Sequence, residues 1–388
     1  MHLIGFDGLT ALSFLNYRFT HAGLGGPARR PVMSSGLARS GLPGRKGGAR
    51  LSGGPGRQSG RKTAVFHFRN LMIAASALAL TAGAAQAQEV ITVAHAISAQ
   101  SHYGAGARAF IAKLEELSGG KYTGKEAPAG TLGGERDMIE GLQIGSIDVV
   151  ITSSGPLGNF VPQVYALDLP FLFRDYEHAR KTLDGEVGQE LLAKIGENNL
   201  VGLAWSENGF RHITNSKNAI AGPDDLKGLK VRTMENKVHM KAFTDMGAAP
   251  TPMAFPEVFA ALQQGVVDGQ ENPIPVITAS KFWEVQKHIS LTGHVYSPAI
   301  VLASPIRMDA LSEEERGWFM EAAKASVAAT RAEVDKQERE GVQLMKDNGM
   351  EVTMTVDKEA FAKIAEPSYE IYTSQYGPEM IERIRAVQ

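Results

Sequence analysis

Between residues 88 and 300, short apolar runs alternate with stretches of helical spacing, and no other feature narrows the fold as much. VITVAHA reads as a buried strand, and Tyr103 to Leu117 follows with Phe110, Leu114 and Leu117 on one helical face. MIEGLQIG is helical and IDVVIT is a strand. HARKTLDG and GQELLAKIGENN are helices, with VGLAWS as the strand after them. VRTMENK opens a second unit: a helix to about Met246, APTPM extended, PEVFAALQQG helical and VVDGQE a strand. Alternation of this kind packs helices on largely parallel sheets. The last part of the chain differs. Leu311 to about Asn348 is charged and helical, opened by Ser312 with Glu315 three residues later, a capping box. A helix of that length is long for a globular domain and can brace two lobes. The expected fold class is α/β, two lobes joined by short strand crossings and braced by a long helix. Residues 88–210 form the first lobe with returning C-terminal segments, 211–300 the second, and 301–388 are helices bracing both.

The N-terminal part does not read as folded. Residues 1–60 hold 14 of the 42 glycines and a single acid, Asp7, a composition that cannot bury enough apolar surface to offset chain entropy. In 61–87 the basic run RKTAVFHFRN is followed by LMIAASALALTA and GAAQAQE. That order is a secretory signal peptide, with Ala85 and Ala87 placing cleavage after Ala87. The apolar run is well short of the roughly 20 residues of a membrane span. Because a signal belongs at the start of a chain, residues 1–60 are expected to be a disordered or mis-called extension, with initiation near Val65. Cleavage leaves 388 − 87 = 301 residues carrying 29 basic and 41 acidic side chains, a formal charge of 29 − 41 = −12. An acidic exported protein is no binder of nucleic acid or anionic membranes. The absence of cysteine excludes disulfides and thiolate chemistry, and a chain of this size is stable on its core alone.

Few catalytic motifs survive inspection. Gly104, Gly106 and Ala109 match G-x-G-x-x-A, but ISAQSHY separates strand from glycines, so the tight phosphate turn is missing; the alternative is small residues that let a helix pack closely. Gly119-Gly120-Lys121 lacks the P-loop spacing. The histidines are scattered without ligand spacing, so neither metal nor cofactor is expected. Asp268 and Glu271 are a conceivable glycosidase pair without a carbohydrate groove around them. What remains is a constellation: Arg211 in FRHITN, Arg232 in KVRTMEN and Asn272 in DGQENP, all at predicted strand ends. Ligands of open α/β sheets bind there, and two arginines offer forked donors to a carboxylate. Taken alone, each arginine is more often a surface or inter-domain ion pair than a ligand contact.

PTPMAFPEVFAALQQGVVDGQENP resembles the signature of the solute-binding proteins of tripartite ATP-independent periplasmic (TRAP) transporters, the C4-dicarboxylate-binding, DctP-like family. GLKVR, LGGERDMIEGLQIGSIDV, LPFLFRDYEHARKTLDG and NGFRHITNSK resemble the same family. The resemblance implies a two-lobed periplasmic binding-protein fold with a long lobe-spanning helix, a protein that is not an enzyme and whose lobes close on a small organic acid. It also implies delivery of the acid to a small and a large membrane subunit. The family's carboxylate clamp falls on Arg232, its second arginine on Arg211, its asparagine on Asn272 and its aromatic wall on Phe255. In the first lobe His95, Tyr103 and Ser153 occupy pocket-lining positions.

Glu235 departs from relatives that carry a neutral side chain there. It either accepts ligand hydroxyl groups, favouring a sugar acid over a dicarboxylate or keto acid, or is an acid in a helix's first turn stabilised by the macrodipole. Two other functional classes compete: a binding protein feeding a signalling receptor, and a periplasmic enzyme.

Overall fold

The computed structural model describes residues 88–388, so the expected extension 1–60 and signal peptide 61–87 lie outside the described residues. Ten strands follow in chain order: β1 (Glu89–Ala94), β2 (Tyr122–Ala127), β3 (Val149–Ser153), β4 (Val201–Asn215), β5 (Lys230–Thr233), β6 (Ala249–Pro252), β7 (Gly269–Pro273), β8 (His288–Ser290), β9 (Tyr296–Ala303) and β10 (Glu351–Thr353). Five helices position the site: α1 (His102–Leu117), α2 (Glu135–Gln143), α3 (Lys237–Asp245), α4 (Ile274–Ala279) and α5 (Glu313–Asp347). No helix among the described residues is long and apolar enough to cross a membrane.

Eight of these strands form one path, β2-β1-β3-β9-β4-β7-β5-β6, that changes sheet within β4; β8 and β10 lie off it. Val201 to Phe210 pair with β9 in the first sheet, and Arg211 to Asn215 pair with β7 and β8 in the second. VGLAWS and FRHITN are therefore one strand of 15 residues. Its register slips between Glu207 and Gly209. Gly209 has φ +117°, and a Cβ there would lie 2.5 Å from the Tyr176 hydroxyl. A bulge with glycine at positive φ bends the strand just before it leaves its first sheet. The sheets are mixed, not largely parallel. β1 runs parallel to β2 and β3, and β5 to β6 and β7, whereas β4 and β9 run antiparallel to their neighbours. Strands that pass directly from one sheet to the other have no helical crossover to return them to a parallel course. β9 belongs to the first sheet and β10 pairs with β8 in the second. Pro250 and Pro252 confine β6 to an edge, where their missing N–H groups break no ladder.

Each sheet has its own core. Val93, Phe110, Ile151 and Phe319 bury against the first; Ile213, Val231, Phe243 and Phe361 bury against the second. α5 runs past both. Ser312 caps it, accepting from Glu315 N–H while Glu315 reaches back to the Ser312 N–H, as the capping box predicts. Its early turns stack Phe319 edge-on against Phe110 and Tyr122 at 5.9 and 5.8 Å. Farther along, Gln337 accepts from Thr278 Oγ1 of α4 at 3.0 Å. Two glycines allow the close approach. A Cβ at Gly106 would sit 2.4 Å from Thr330 Oγ1, and one at Gly341 2.3 Å from Ile274. The G-x-G of α1 is thus a packing feature: Gly106 admits α5, and Gly104 admits the Ala99 carbonyl.

Candidate ligand site between the two sheets

Arg232 is the penultimate residue of β5, with β6 and β7 on either side. The strand ends at Thr233 and the next helix begins at Lys237, so the residue lies near the carboxyl end of its strand. Its guanidinium is buried. Nε and Nη2 both donate to the Met253 carbonyl, at 3.1 and 2.7 Å. Nη1 is buried and has no partner among the described residues. The Phe255 ring centre lies 5.9 Å from Cζ. Burial pulls the guanidinium pKa down to about 10; Glu271 acts against that shift and Arg211 adds to it. A desolvated cation with an unused donor is expensive to keep, and an anion placed against it lowers that cost.

Arg232 lines a small cavity between the two sheets, of about 10 Å³, roughly the space of one water molecule. Arg232, Phe255 and Asn272 line it from the second sheet; Tyr103, Glu135, Ser153 and Asn208 line it from the first sheet and the elements packed on it. Oδ1 of Asn272 accepts from Arg211 Nη2 at 3.1 Å and its Nδ2 donates to Gln270 Oε1. On the other wall Asn208 Nδ2 donates to Ser153 Oγ at 2.6 Å, and Asn208 Oδ1 lies 3.1 Å from His102 Nε2. The Tyr103 hydroxyl is buried without a partner among the described residues, and burial pushes its pKa well above the usual value. Glu135 opens α2. Its Oε1 accepts from Thr152 Oγ1 at 3.0 Å and from the Ser153 N–H at 2.8 Å. The site therefore has a cationic end at Arg232 and an acceptor end at Glu135.

Five of the eight residues singled out from sequence meet at this cavity: Arg232, Asn272, Phe255, Tyr103 and Ser153. Three do not line it. Arg211 is buried against Glu271, donating through Nε and Nη2 to that carboxylate and through Nη2 to the Glu271 carbonyl. His294 Nε2 lies 3.1 Å from the same carboxylate, and the Thr292 hydroxyl 2.8 Å from His294 Nδ1. Arg211 and His294 hold Glu271 well below the ordinary carboxylate range against the upward pull of burial. His95 stands behind Tyr103, edge-on at 6.1 Å, with Nε2 3.0 Å from Glu126. Burial lowers its pKa. Glu235 precedes Asn236, the N-cap of α3, so it is not an acid of the first helical turn. Its backbone carbonyl accepts from Asn159 at 2.6 Å.

Sequence reasoning passed over Glu135 and Asn208. Glu135 follows Gly133-Gly134 at the start of an amphipathic stretch, where an acid reads as an ordinary helix-start residue. Asn208-Gly209 reads as a turn, whereas it is the bulge of β4.

The model for bacterial extracellular solute-binding proteins of family 7 matches residues 93–375. A TRAP periplasmic solute-binding protein from Polaromonas sp. JS666, solved bound to D-erythronate, is 51% identical. The match covers 78% of this chain and 99% of that one, with a TM-score of 0.76. A solute-binding protein of Verminephrobacter eiseniae is 45% identical over 304 residues, 78% of this chain and 91% of that protein. The 2,3-diketo-L-gulonate-binding periplasmic protein YiaO of Escherichia coli K12 is 40% identical over 256 residues, 66% of this chain and 78% of that protein.

Proposed function

The chain belongs to the family 7 extracellular solute-binding proteins, the solute-binding proteins of TRAP transporters, and from that premise we propose that it captures a small hydroxylated monocarboxylic acid in the periplasm. It releases the acid unchanged to a small and a large membrane subunit. The observation that carries this reading is the buried Nη1 of Arg232, unpartnered among the described residues, in a side chain that lines the small cavity between the two sheets; the lobes part to admit the acid. One carboxylate oxygen there accepts from Nη1, and Asn272 and Tyr103 offer further donors to the same group. Phe255 covers the arginine's face and excludes water.

The acceptor end supports hydroxyl groups on the ligand. A dicarboxylate would bring its second charge toward Glu135, which is repulsive in a desolvated space; hydroxyl groups would donate to it. The relative solved bound to D-erythronate and the relative named for 2,3-diketo-L-gulonate both concern hydroxylated monocarboxylic acids. The test is titration calorimetry with D-erythronate, 2-hydroxybutanoate and succinate, with recovery of the acid after binding. D-erythronate is expected to bind tightest and to be recovered intact. Succinate binding tightest would overturn the assignment of the acceptor end, and a chemically altered acid would overturn capture without turnover.

Glu135→Gln tests that end by itself. The amide keeps one oxygen for Thr152 and Ser153 but replaces the free acceptor with a donor. A lost bond to a charged acceptor costs about 1.5–3 kcal/mol. D-erythronate affinity is expected to fall by about 10-fold or more, while 2-hydroxybutanoate, lacking the distal hydroxyls, changes little. Equal losses for both acids would assign Glu135 to holding Ser153 in place.

A further inference from the structure

The two lobes also meet outside the cavity. Asn236 caps α3 through Oδ1, which accepts the His239 N–H at 3.0 Å. Its Nδ2 points the other way, donating to Asp168 Oδ2 at 2.9 Å and to the Gly155 carbonyl at 3.3 Å. Asp168 Oδ1 accepts from Ser154 Oγ at 2.6 Å. Ser154, Gly155 and Asp168 follow β3 and pack with the first lobe, whose core holds Leu157, Val164 and Leu167. Beside this, Asn159 Nδ2 donates to the Glu235 carbonyl at 2.6 Å, and Tyr165 donates to Asn159 Oδ1 at 2.9 Å. Val238, the second residue of α3, is buried in the first lobe's cluster. The segment 234–239 of the second lobe is thus gripped by 154–168 of the first, only a few residues beyond Arg232. None of Asn159, Asp168 and Asn236 lines the cavity.

We propose that Asn236, seconded by Asn159, is a latch that holds the lobes together around the site without touching the acid. It sets the closing equilibrium, and with it the affinity for every ligand alike. The proposal rests on the reading above that the lobes close on an acid. Apparent affinity scales with the fraction of protein able to adopt the binding-competent state. A weaker latch therefore divides all affinities by one factor, whereas a ligand-contacting residue discriminates between ligands.

Asn236→Ser is the informative variant. Serine still accepts the His239 N–H, so the cap of α3 survives, but it is too short to reach Asp168. Asn159→Ala removes the second contact at an exposed position, where folding is not at stake. Calorimetry with D-erythronate and 2-hydroxybutanoate is expected to show one common loss, on the order of 10-fold, for Asn236→Ser. Asn159→Ala should give a smaller common loss. The chain has no cysteine, so Glu116→Cys and Asp224→Cys, exposed on the two lobes, provide a unique pair of spin labels. At an acid concentration that half-saturates the unsubstituted protein, Asn236→Ser should show fewer short label distances. Unchanged affinities would overturn the latch. Losses that differ between the two acids would overturn it too, placing Asn236 in ligand recognition. If the unsubstituted protein binds neither acid, the acid reading fails. The ligand-free label distances then decide the latch alone, and identical distributions in both forms overturn it.

Discussion

Arg232→Lys is expected to lower affinity for D-erythronate by about 100-fold or more, although the charge is kept. Three facts about the guanidinium lead there. Its Nε and Nη2 are both committed to the Met253 carbonyl, which fixes the plane of the fork. Nη1 is left without a partner among the described residues, in a side chain that lines the cavity. The Phe255 ring lies 5.9 Å from the fork's central carbon. An ammonium is a compact point charge that cannot satisfy a backbone carbonyl on one edge and a carboxylate on the other in a fixed plane. It is also more strongly hydrated, so enclosure costs it more. Removing one member of a buried charge pair typically costs about 3–5 kcal/mol, or roughly two to three and a half decades of affinity. The fold should survive, because the Met253 carbonyl sits beside the edge strand β6 and a lysine stem reaches it. Calorimetry after circular dichroism checks the result; affinity within 3-fold of the unsubstituted protein would remove Arg232 as the anchor.

Much of this architecture could be read from local signals. The capping box at Ser312 and the charged periodicity after it announced α5, because an N-cap and its N3 partner are neighbours in sequence. The alternation of strand and helix gave the α/β class, because burial on both sheet faces leaves continuous apolar runs. Glycine at 104 and 106 misled only in motif form; which neighbour a glycine admits, here Thr330 of a helix more than 200 residues later, is not written locally. In sequence β4 reads as two strands because Glu207, Asn208 and Gly209 interrupt the apolar run. Glu207 and Asn208 are buried, and their partners are distant in the chain: Arg180 and Tyr296 for Glu207, His102 for Asn208. The site divides in the same way. Arg232 and Asn272 were visible as polar residues at strand positions facing a crevice. Glu135 was not, because an acid at a helix start has an ordinary local reason to be there. The bonding of Arg211 was hidden for another reason: its partner Glu271 lies on β7, paired beside it only once the sheet has formed.

Arg211→Ala should act on stability more than on any single ligand. Arg211 and Glu271 are both fully buried, and the carboxylate also receives His294. Truncating the arginine leaves Glu271 as a buried charge with one neutral partner, at a cost of about 3–5 kcal/mol, which for a chain of this size lowers Tm by on the order of 10 °C. The pH dependence identifies the cause. In the unsubstituted protein Glu271 has a depressed pKa. Its stabilisation is present above the ordinary carboxylate range, about 4.3, and is lost only as pH falls toward the lower folded value. Without Arg211 the opposing effect of burial prevails and the folded pKa rises above the unfolded one. Protonation then relieves the unpaired charge, so the deficit in Tm should be largest near pH 7–8 and shrink toward pH 5. A deficit that grows on acidification would show that Arg211 stabilises by some route other than Glu271. Replacing both partners with apolar side chains, Arg211→Met with Glu271→Leu, should recover much of the lost stability, as is common for buried pairs. The double variant also separates Arg211's two possible roles. If it folds and still binds D-erythronate within about 10-fold of the unsubstituted protein, Arg211 supports the wall behind Asn272; if it folds and does not bind, Arg211 belongs to the acid's own shell after all.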